Sequence, residues 1–287
     1  MSPNTRVDIH IHTRASDGVW SPRELIEELR REEIGFFAVT DHDTTANVPA
    51  TQALAREENL LFLRGVEINT SLEGHVLHIL GYDIAPETAP LQELLSVNRS
   101  LMADNDYEIL RVLEADGFPV DWEKFQHYTY DRSRGGFPGL NFCIDEDYCS
   151  DVSDFFGRLF GPHRRLPMPT YPHPRDAIEA ILNAGGVPVL AHPFGSISGG
   201  ERDYLASFRT LLELGIHGLE CHTPYHSSEQ TQEARAFCDE HGLLITAGSD
   251  THGPFTVRRK LGRPHVTTAD LRLGEIRERA EAAAAGA

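Results

Sequence analysis

Nine polar residues, six histidines, two aspartates and one glutamate, each stand at or just past the end of a short apolar segment: His10, His12, Asp17, His42, Glu67, His78, His192, Asp250 and His252. The apolar segments are strand-sized, and stretches with helical spacing of apolar residues lie between most of them. Residues 6–11 alternate, placing Asp8, His10 and His12 on one face and Val7, Ile9 and Ile11 on the other. Ser21, Pro22 and Glu24 then spell an N-cap, a first-turn proline and a capping-box acid ahead of Leu25, Ile26 and Leu29, a helix that runs towards Gly35. With a strand at 36–40 this makes a βαβ unit. The alternation continues through a helix at 49–58, strands at 60–66 and 76–82, a helix at 174–183 and a strand at 187–191. It closes with a helix at 204–214, a strand at 216–220, a helix at 229–240 and a strand at 243–247. Such a pattern predicts a parallel α/β sheet, and a count near seven fits a closed barrel better than an open sheet.

Parallel α/β folds carry their chemistry at the carboxyl ends of the strands, where these nine residues stand. Imidazole and carboxylate without thiolate suit divalent Zn, Mn or Fe and the activation of water. Asp41 and Asp43, which flank His42, are read as residues that orient loops or histidine tautomers. His75 should face away from His78, three residues further along the same strand. His222 and His226 follow a strand end and are candidates for a supporting or substrate-facing role.

The region from residue 99 to 173 differs in texture. A helical stretch at 101–115 leads into a loop rich in Gly and Arg, then an amphipathic piece at 152–160 and a proline-rich return at 161–174. The domain reading is therefore a barrel in two parts, 1–98 and 174–287, with 99–173 inserted as a mostly helical cap.

Charge and composition narrow the classes of function. A formal charge of −18 over 287 residues argues against a long nucleic-acid surface, although several bound cations would offset it locally. No apolar run approaches the roughly 18 to 20 residues that a membrane span needs, and no leader pattern opens the chain, so the expectation is a cytoplasmic protein without membrane contact. Four cysteines without CxxC spacing read as ordinary buried thiols.

Taken in order, Asp8-Ile9-His10-Ile11-His12 with Ser16-Asp17-Gly18, Thr40-Asp41-His42, Gly65-Val66-Glu67, His78-Ile79-Leu80-Gly81-Tyr82, Ala191-His192-Pro193 and Gly248-Ser249-Asp250-Thr251-His252 resemble the motifs of the PHP (polymerase and histidinol phosphatase) phosphoesterases. The resemblance covers about residues 6–98 and 174–265. It implies a distorted (β/α)7 barrel and two or three divalent ions (Mn, Zn or Fe). By position it gives one ion His10, His12, Glu67 and Asp250, with Glu67 bridging to a second held by His78 and His192. Asp17, His42 and His252 would hold a third. A metal-bound hydroxide held by Glu67 and Asp250 would attack phosphorus.

The expected substrate is a small phosphate ester, a sugar or nucleotide phosphate, with cyclic phosphodiesters such as a cyclic sugar phosphate included. Arg134, with Arg99 and His226, is the candidate set for substrate binding, and Arg132, Arg164 and Arg165 extend the same idea. Relatives that look like 3',5'-nucleotide bisphosphate phosphatases and short-RNA 5'-3' exonucleases carry an Arg-x-His-Phe-Ala type segment in the insertion. This chain reads Arg134-Gly135-Gly136-Phe137-Pro138, which keeps the arginine and loses the histidine. Bisphosphate phosphatase or short-RNA exonuclease activity is the alternative, and an amidohydrolase or a non-catalytic metal-binding module represents other classes.

Overall fold

The computed structural model describes residues 2–159, 167–195, 204–256 and 258–285; Arg164 and Arg165 lie outside them. The elements are β1 (Arg6–Asp8), α1 (Pro22–Arg31), β2 (Ile34–Val39), α2 (Val48–Glu57), β3 (Leu61–Leu72), β4 (His75–Tyr82), α3 (Ala89–Ala115), α4 (Trp122–Gln126) and α5 (Pro138–Asp145). There follow α6 (Val152–Asp154), α7 (Pro174–Asn183), β5 (Val187–Leu190), α8 (Tyr204–Glu213), β6 (Gly218–His222), α9 (Ser228–His241), β7 (Leu244–Ala247) and α10 (Glu275–Ala285). No described helix is long and apolar enough to cross a membrane.

The strands form one seven-stranded sheet in chain order, β1 to β7. It is mixed rather than parallel throughout: β3–β4 and β4–β5 pair antiparallel, the other neighbours parallel. The cause is local. Only Glu73 and Gly74 separate β3 from β4, both with positive φ (51° and 81°), and a two-residue link with that geometry makes a hairpin, whereas a parallel return needs a crossover. Pairing with β4 also carries β3 through to Leu72, so Glu67 lies inside a strand rather than past its end. β1, conversely, is shorter than its alternation suggests and leaves His10 and His12 beyond it.

Backbone bonds continue past the edge strands and join the two ends of the sheet. Ile9 N donates to Ala247 O (3.2 Å), Asp250 N to His10 O (2.9 Å) and His12 N to Thr251 O (3.0 Å). On one face, Val7, Phe36, Ala38, Leu63, Leu80, Tyr82, Val187 and Val189 of the strands and Ile9 just past β1 form a single cluster, which Ile276 and Ala280 of α10 join. The alternate residues Phe37 and Val39 pack with Leu25, Ile26 and Leu29 of α1, as a period of two requires. The capping box of Ser21 and Glu24 is formed, with Pro22 in the first turn.

Helix α3 begins at Ala89, well before the expected start at 101, because Pro90 sits in its first turn. Its first half buries Leu91 and Leu95 in the main core; its second half buries Ile109, Leu110 and Leu113 against Phe125, Leu140, Phe142, Phe155 and Leu159. The amphipathic piece expected at 152–160 is α6 followed by a π-helical turn, Phe155–Leu159. All four cysteines are buried and free.

Between the two halves of α3, Asp106 is buried where α5 crosses. A Cβ on Gly139 would lie 2.6 Å from its Oδ1. Burial pushes the Asp106 carboxyl up to about 7, against the opposing pull of the Gly139 N–H. Since the folded value exceeds the ordinary one, the stability contributed by the neutral acid is complete below the ordinary carboxylate range and is lost as pH rises through about 7. Asp106→Asn should therefore gain on the wild type between pH 5 and pH 8, by on the order of 2 kcal/mol. Paired thermal melts at the two pH values check this; equal differences at both would refute it.

Candidate metal centre

The sheet delivers all nine candidate residues to one place. His10 and His12 follow β1, Asp17 lies in the loop before α1, His42 follows β2, His192 follows β5, and Asp250 and His252 follow β7. Glu67 and His78 come from within the β3–β4 ladder, where Glu67 pairs with Leu80 and Asn69 with His78, so the two side chains stand diagonally across the hairpin. Two of these residues adopt backbone conformations unusual for L side chains: His192 has φ 25° and Asp250 φ 50°.

Glu67 is the hub. Its Oε2 lies 3.0 Å from His10 Nε2, 3.0 Å from His12 Nε2 and 3.3 Å from His42 Nδ1. Its Oε1 lies 2.9 Å from His78 Nδ1 and 3.2 Å from His192 Nε2. Asp250 Oδ1 is 2.9 Å from His12 Nε2, and Asp17 Oδ2 is 3.0 Å from His252 Nε2. Potential ligand atoms converge in three overlapping groups, His10/His12/Glu67/Asp250, His12/Asp17/His42/His252 and His42/Glu67/His78. The first matches the expected set. In the second, His12 joins the expected trio, and in the third His42 takes the place that the resemblance gives to His192.

The donor set fits divalent cations for a physical reason. His10 Nε2, His12 Nε2 and Nδ1, Asp17 Oδ1, His42 Nδ1, Glu67 Oε2, His78 Nε2 and Asp250 Oδ1 are all buried, yet none completes a hydrogen bond. Lone pairs buried in such number are costly unless something binds them. Burial alone would raise the Glu67 carboxyl, but the imidazoles of His10, His42 and His78 hold it well below the usual range. Burial likewise opposes charge on His12, while Asp250 and Glu67 raise it to about 10. The pocket is thus strongly cation-seeking; cation binding would release those protons and leave neutral imidazoles as donors.

Outside this cluster a set of carboxylates fixes it. Glu220 Oε1 lies 2.9 Å from His10 Nδ1, leaving Nε2 to face Glu67, and its Oε2 accepts from His192 N at 2.8 Å. Asp41 accepts from Thr13 N (2.7 Å), Thr13 Oγ1 (2.6 Å) and Ser16 Oγ (2.7 Å), and Asp43 accepts from Asn98 Nδ2 (2.7 Å) and from Asn69, which makes both the loop-orienting residues expected. Asp250 Oδ2, turned away from the histidines, accepts from Tyr225 Oη at 2.6 Å and Arg259 Nη1 at 3.0 Å. Glu220 follows the strand-end rule that singles out the nine, but its neighbours His222 and His226 draw attention from it. Nothing in the sequence marks Tyr225 or Arg259.

The candidate substrate residues are each bonded within the protein. Arg134 pairs with Asp145 within the insertion, at 2.8 Å. Arg99 Nη1 donates to Asp43 O at 2.6 Å, bracing the loop after His42. His226 has both ring nitrogens occupied by backbone: Nδ1 lies 3.0 Å from Cys221 O, and Nε2 accepts from Phe194 N at 3.4 Å. His222 Nε2 accepts from Arg235 at 2.8 Å, and Arg132 Nη2 donates to Arg14 O at 3.1 Å.

No protein-family model matches the chain. It is 29% identical over 272 residues to a 3',5'-nucleoside bisphosphate phosphatase of Chromobacterium violaceum, covering 89% of this chain and 90% of that protein. It is 30% identical over 275 residues to a 5'-3' exoribonuclease of Salmonella typhimurium, covering 90% and 89%. A phosphoribosyl 1,2-cyclic phosphate 1,2-diphosphodiesterase of Eggerthella lenta is 26% identical over 90% of this chain and 97% of its own. Among solved structures, an amidohydrolase of Chromobacterium violaceum with bound sulfate and no metal superimposes with a TM-score of 0.78 at 25% identity, over 97% of both chains. A Bifidobacterium adolescentis protein assigned as a metal-dependent phosphoesterase superimposes with a TM-score of 0.76 at 26% identity, over 99% of this chain and 98% of that one. With buried imidazole and carboxylate groups converging on Glu67 and relatives of this kind over nine-tenths of its length, the chain belongs to a family of metal-dependent phosphoesterases.

Proposed function

We propose that this phosphoesterase is of the PHP type, built as a distorted (β/α)7 barrel, and that it hydrolyses a small phosphate ester, a nucleotide or sugar phosphate or its cyclic diester. The backbone bonds joining β1 to β7 and the shared strand cluster support closure of the sheet. His10, His12, Glu67 and Asp250 would hold one cation, Glu67 would bridge to a second at His78 and His192, and Asp17, His42 and His252 would hold a third. The observation that carries the reading is Glu67, a buried carboxylate in contact with five imidazoles, the arrangement a bridging ligand requires.

Bound divalent cations supply Lewis acidity towards phosphoryl oxygens and a water nucleophile at neutral pH. The chain's own part is positional. Glu220 fixes the His10 tautomer, and Tyr225 and Arg259 restrain the outer oxygen of Asp250 so that Oδ1 faces the histidines. Residues 99–173, whose cluster from Ile109 to Leu159 is separate from the main core, would act as the cap that selects substrate.

A second reading is a 3',5'-nucleotide bisphosphate or a short RNA end. The 29% and 30% identities to the phosphatase and the exoribonuclease, against 26% for the cyclic-phosphate enzyme, favour it. The histidine missing after Arg134 and the charge of −18 speak against it.

The deciding assay measures phosphate release by the Mn²⁺-loaded protein from 5'-AMP, 3',5'-bisphosphates, pentose phosphates and their cyclic esters, with model amides alongside. Release should be confined to phosphate esters, vanish on chelation, and fall at least ~10³-fold in kcat/KM for Glu67→Gln. Amide cleavage, or silence across the panel with metal bound, would overturn the reading. The packing gives a second expectation. A Cβ at Gly248 would lie 2.1 Å from His10 Cβ and 2.7 Å from Glu220 Oε1. Gly248→Ala should lower both the bound Mn²⁺ per chain and the melting temperature, the latter by about 5 °C, as an overpacked core site does; unchanged metal content would count against His10 as a ligand.

A further inference from the structure

The loop carrying Asp17 is held from two directions. From the barrel side Asp41 gathers Thr13 and Ser16. From the insertion, the Arg132 guanidinium donates to three successive carbonyl oxygens of the same loop, Arg14 (3.1 Å), Ala15 (3.3 Å) and Ser16. Gly136 N then donates to Asp17 O itself, at 2.7 Å.

The gripping side chain is itself aimed. Arg132 Nη1 donates to Tyr130 Oη at 2.9 Å, its guanidinium lies 5.3 Å from the Tyr130 ring centroid, and Tyr130 Oη donates to Gly136 O at 2.6 Å. Contact is close enough to exclude any side chain at the turn: a Cβ on Gly135, whose φ is 71°, would lie 2.8 Å from both Asp17 O and Phe255 Cε1.

Asp17 needs such support more than the other carboxylates do. Its side chain is 26% exposed, against 0% for Glu67 and 5% for Asp250, so less packing fixes its rotamer and its placement follows its backbone. That backbone is held at residues 14–17 by Arg132 and Gly136.

We propose that Arg132 is a positioning residue for the third cation, so that ligation by Asp17, His42 and His252 depends on a contact made by the inserted segment. This rests on the three-cation reading above. Arg132, a candidate for substrate contact on sequence grounds, thereby ties the insertion to the metal centre. By thermodynamic reciprocity, whatever steadies the insertion also tightens that cation.

The test is a Mn²⁺ titration of the metal-stripped full-length chain, counting free Mn²⁺ by electron paramagnetic resonance. The wild type should bind three ions and Asp17→Asn two. Arg132→Ala should keep two ions at wild-type affinity and hold the third about 10- to 100-fold more weakly, the usual loss when an outer partner of a ligand is removed. Arg132→Lys should recover only part of that loss, because an ammonium lacks the fork that spans several carbonyls. Arg111→Ala, which removes an exposed partner of Glu108, should match the wild type. Three ions of unchanged affinity in Arg132→Ala, or equal weakening of all three, would overturn the proposal and leave the three-cation reading standing. Two ions or fewer in the wild type, matched by Asp17→Asn, would overturn both.

Discussion

The structure turns on a buried carboxylate. Glu67 is wholly inaccessible, sits inside a strand, and has five imidazoles within 3.3 Å of its oxygens. A carboxylate in that position is costly unless compensated, and removing any one partner leaves others uncompensated in turn. The surrounding architecture follows from this. Asp8, Asp41, Asp43 and Glu220 are buried too: Asp8, Asp41 and Glu220 accept from the loops that carry ligand candidates, and Asp43, beside His42, accepts from Asn69 of β3 and Asn98 of α3. Asp8, for example, accepts from Ser249 N (3.0 Å) and Gly262 N (2.7 Å), and burial holds its carboxyl near 6 against those donors. Rigidity at the strand ends is what lets so many like groups share one pocket.

The legible part of this plan was the part written locally. Helix α1 announces itself through Ser21, Pro22 and Glu24, and the βαβ alternation predicts that His42 and His192 follow β2 and β5. What the alternation could not supply is pairing. The extension of β3 to Leu72 exists because β4 offers a partner across the Glu73–Gly74 turn, and the antiparallel centre of the sheet follows from that turn. Helix α3 runs through the expected boundary at 98/99 for a similar reason: its two halves each find a different core to cover.

The residues missed at the site share one property. Tyr225 and Arg259 reach Asp250 across separations of 25 and 9 residues, and Glu220 reaches His10 across 210. Tyr225 and Arg259 have no local pattern that distinguishes them from surface residues of the same type, and Glu220 has only its place at a predicted strand end. Arg99, Arg134 and His226 illustrate the converse. Their chemistry suits phosphate, yet each is bound to the protein itself, to Asp43 O, Asp145 and backbone atoms respectively. Residue type identifies what a side chain can do, and only its partners decide whether it is free to do it.

A net charge of −18 poses a problem for an enzyme that must attract phosphate, and the fold meets it by concentrating opposite sign locally. Carboxylates at the centre suit cations, while Arg259, its side chain 27% exposed and bonded to Asp250, adds a fixed positive group beside them. Its guanidinium is held above its already high ordinary value by Asp250 and Tyr225 despite burial, so its charge does not depend on pH. With the proposed cations bound, an anion approaching Asp250 would meet positive groups first and the acidic surface only at a distance, where a Debye length of about 8 Å screens it at physiological salt. The acidic balance would limit how much polyanion can follow a reacting phosphate along the surface, which supports the proposal of a compact ester over an extended chain.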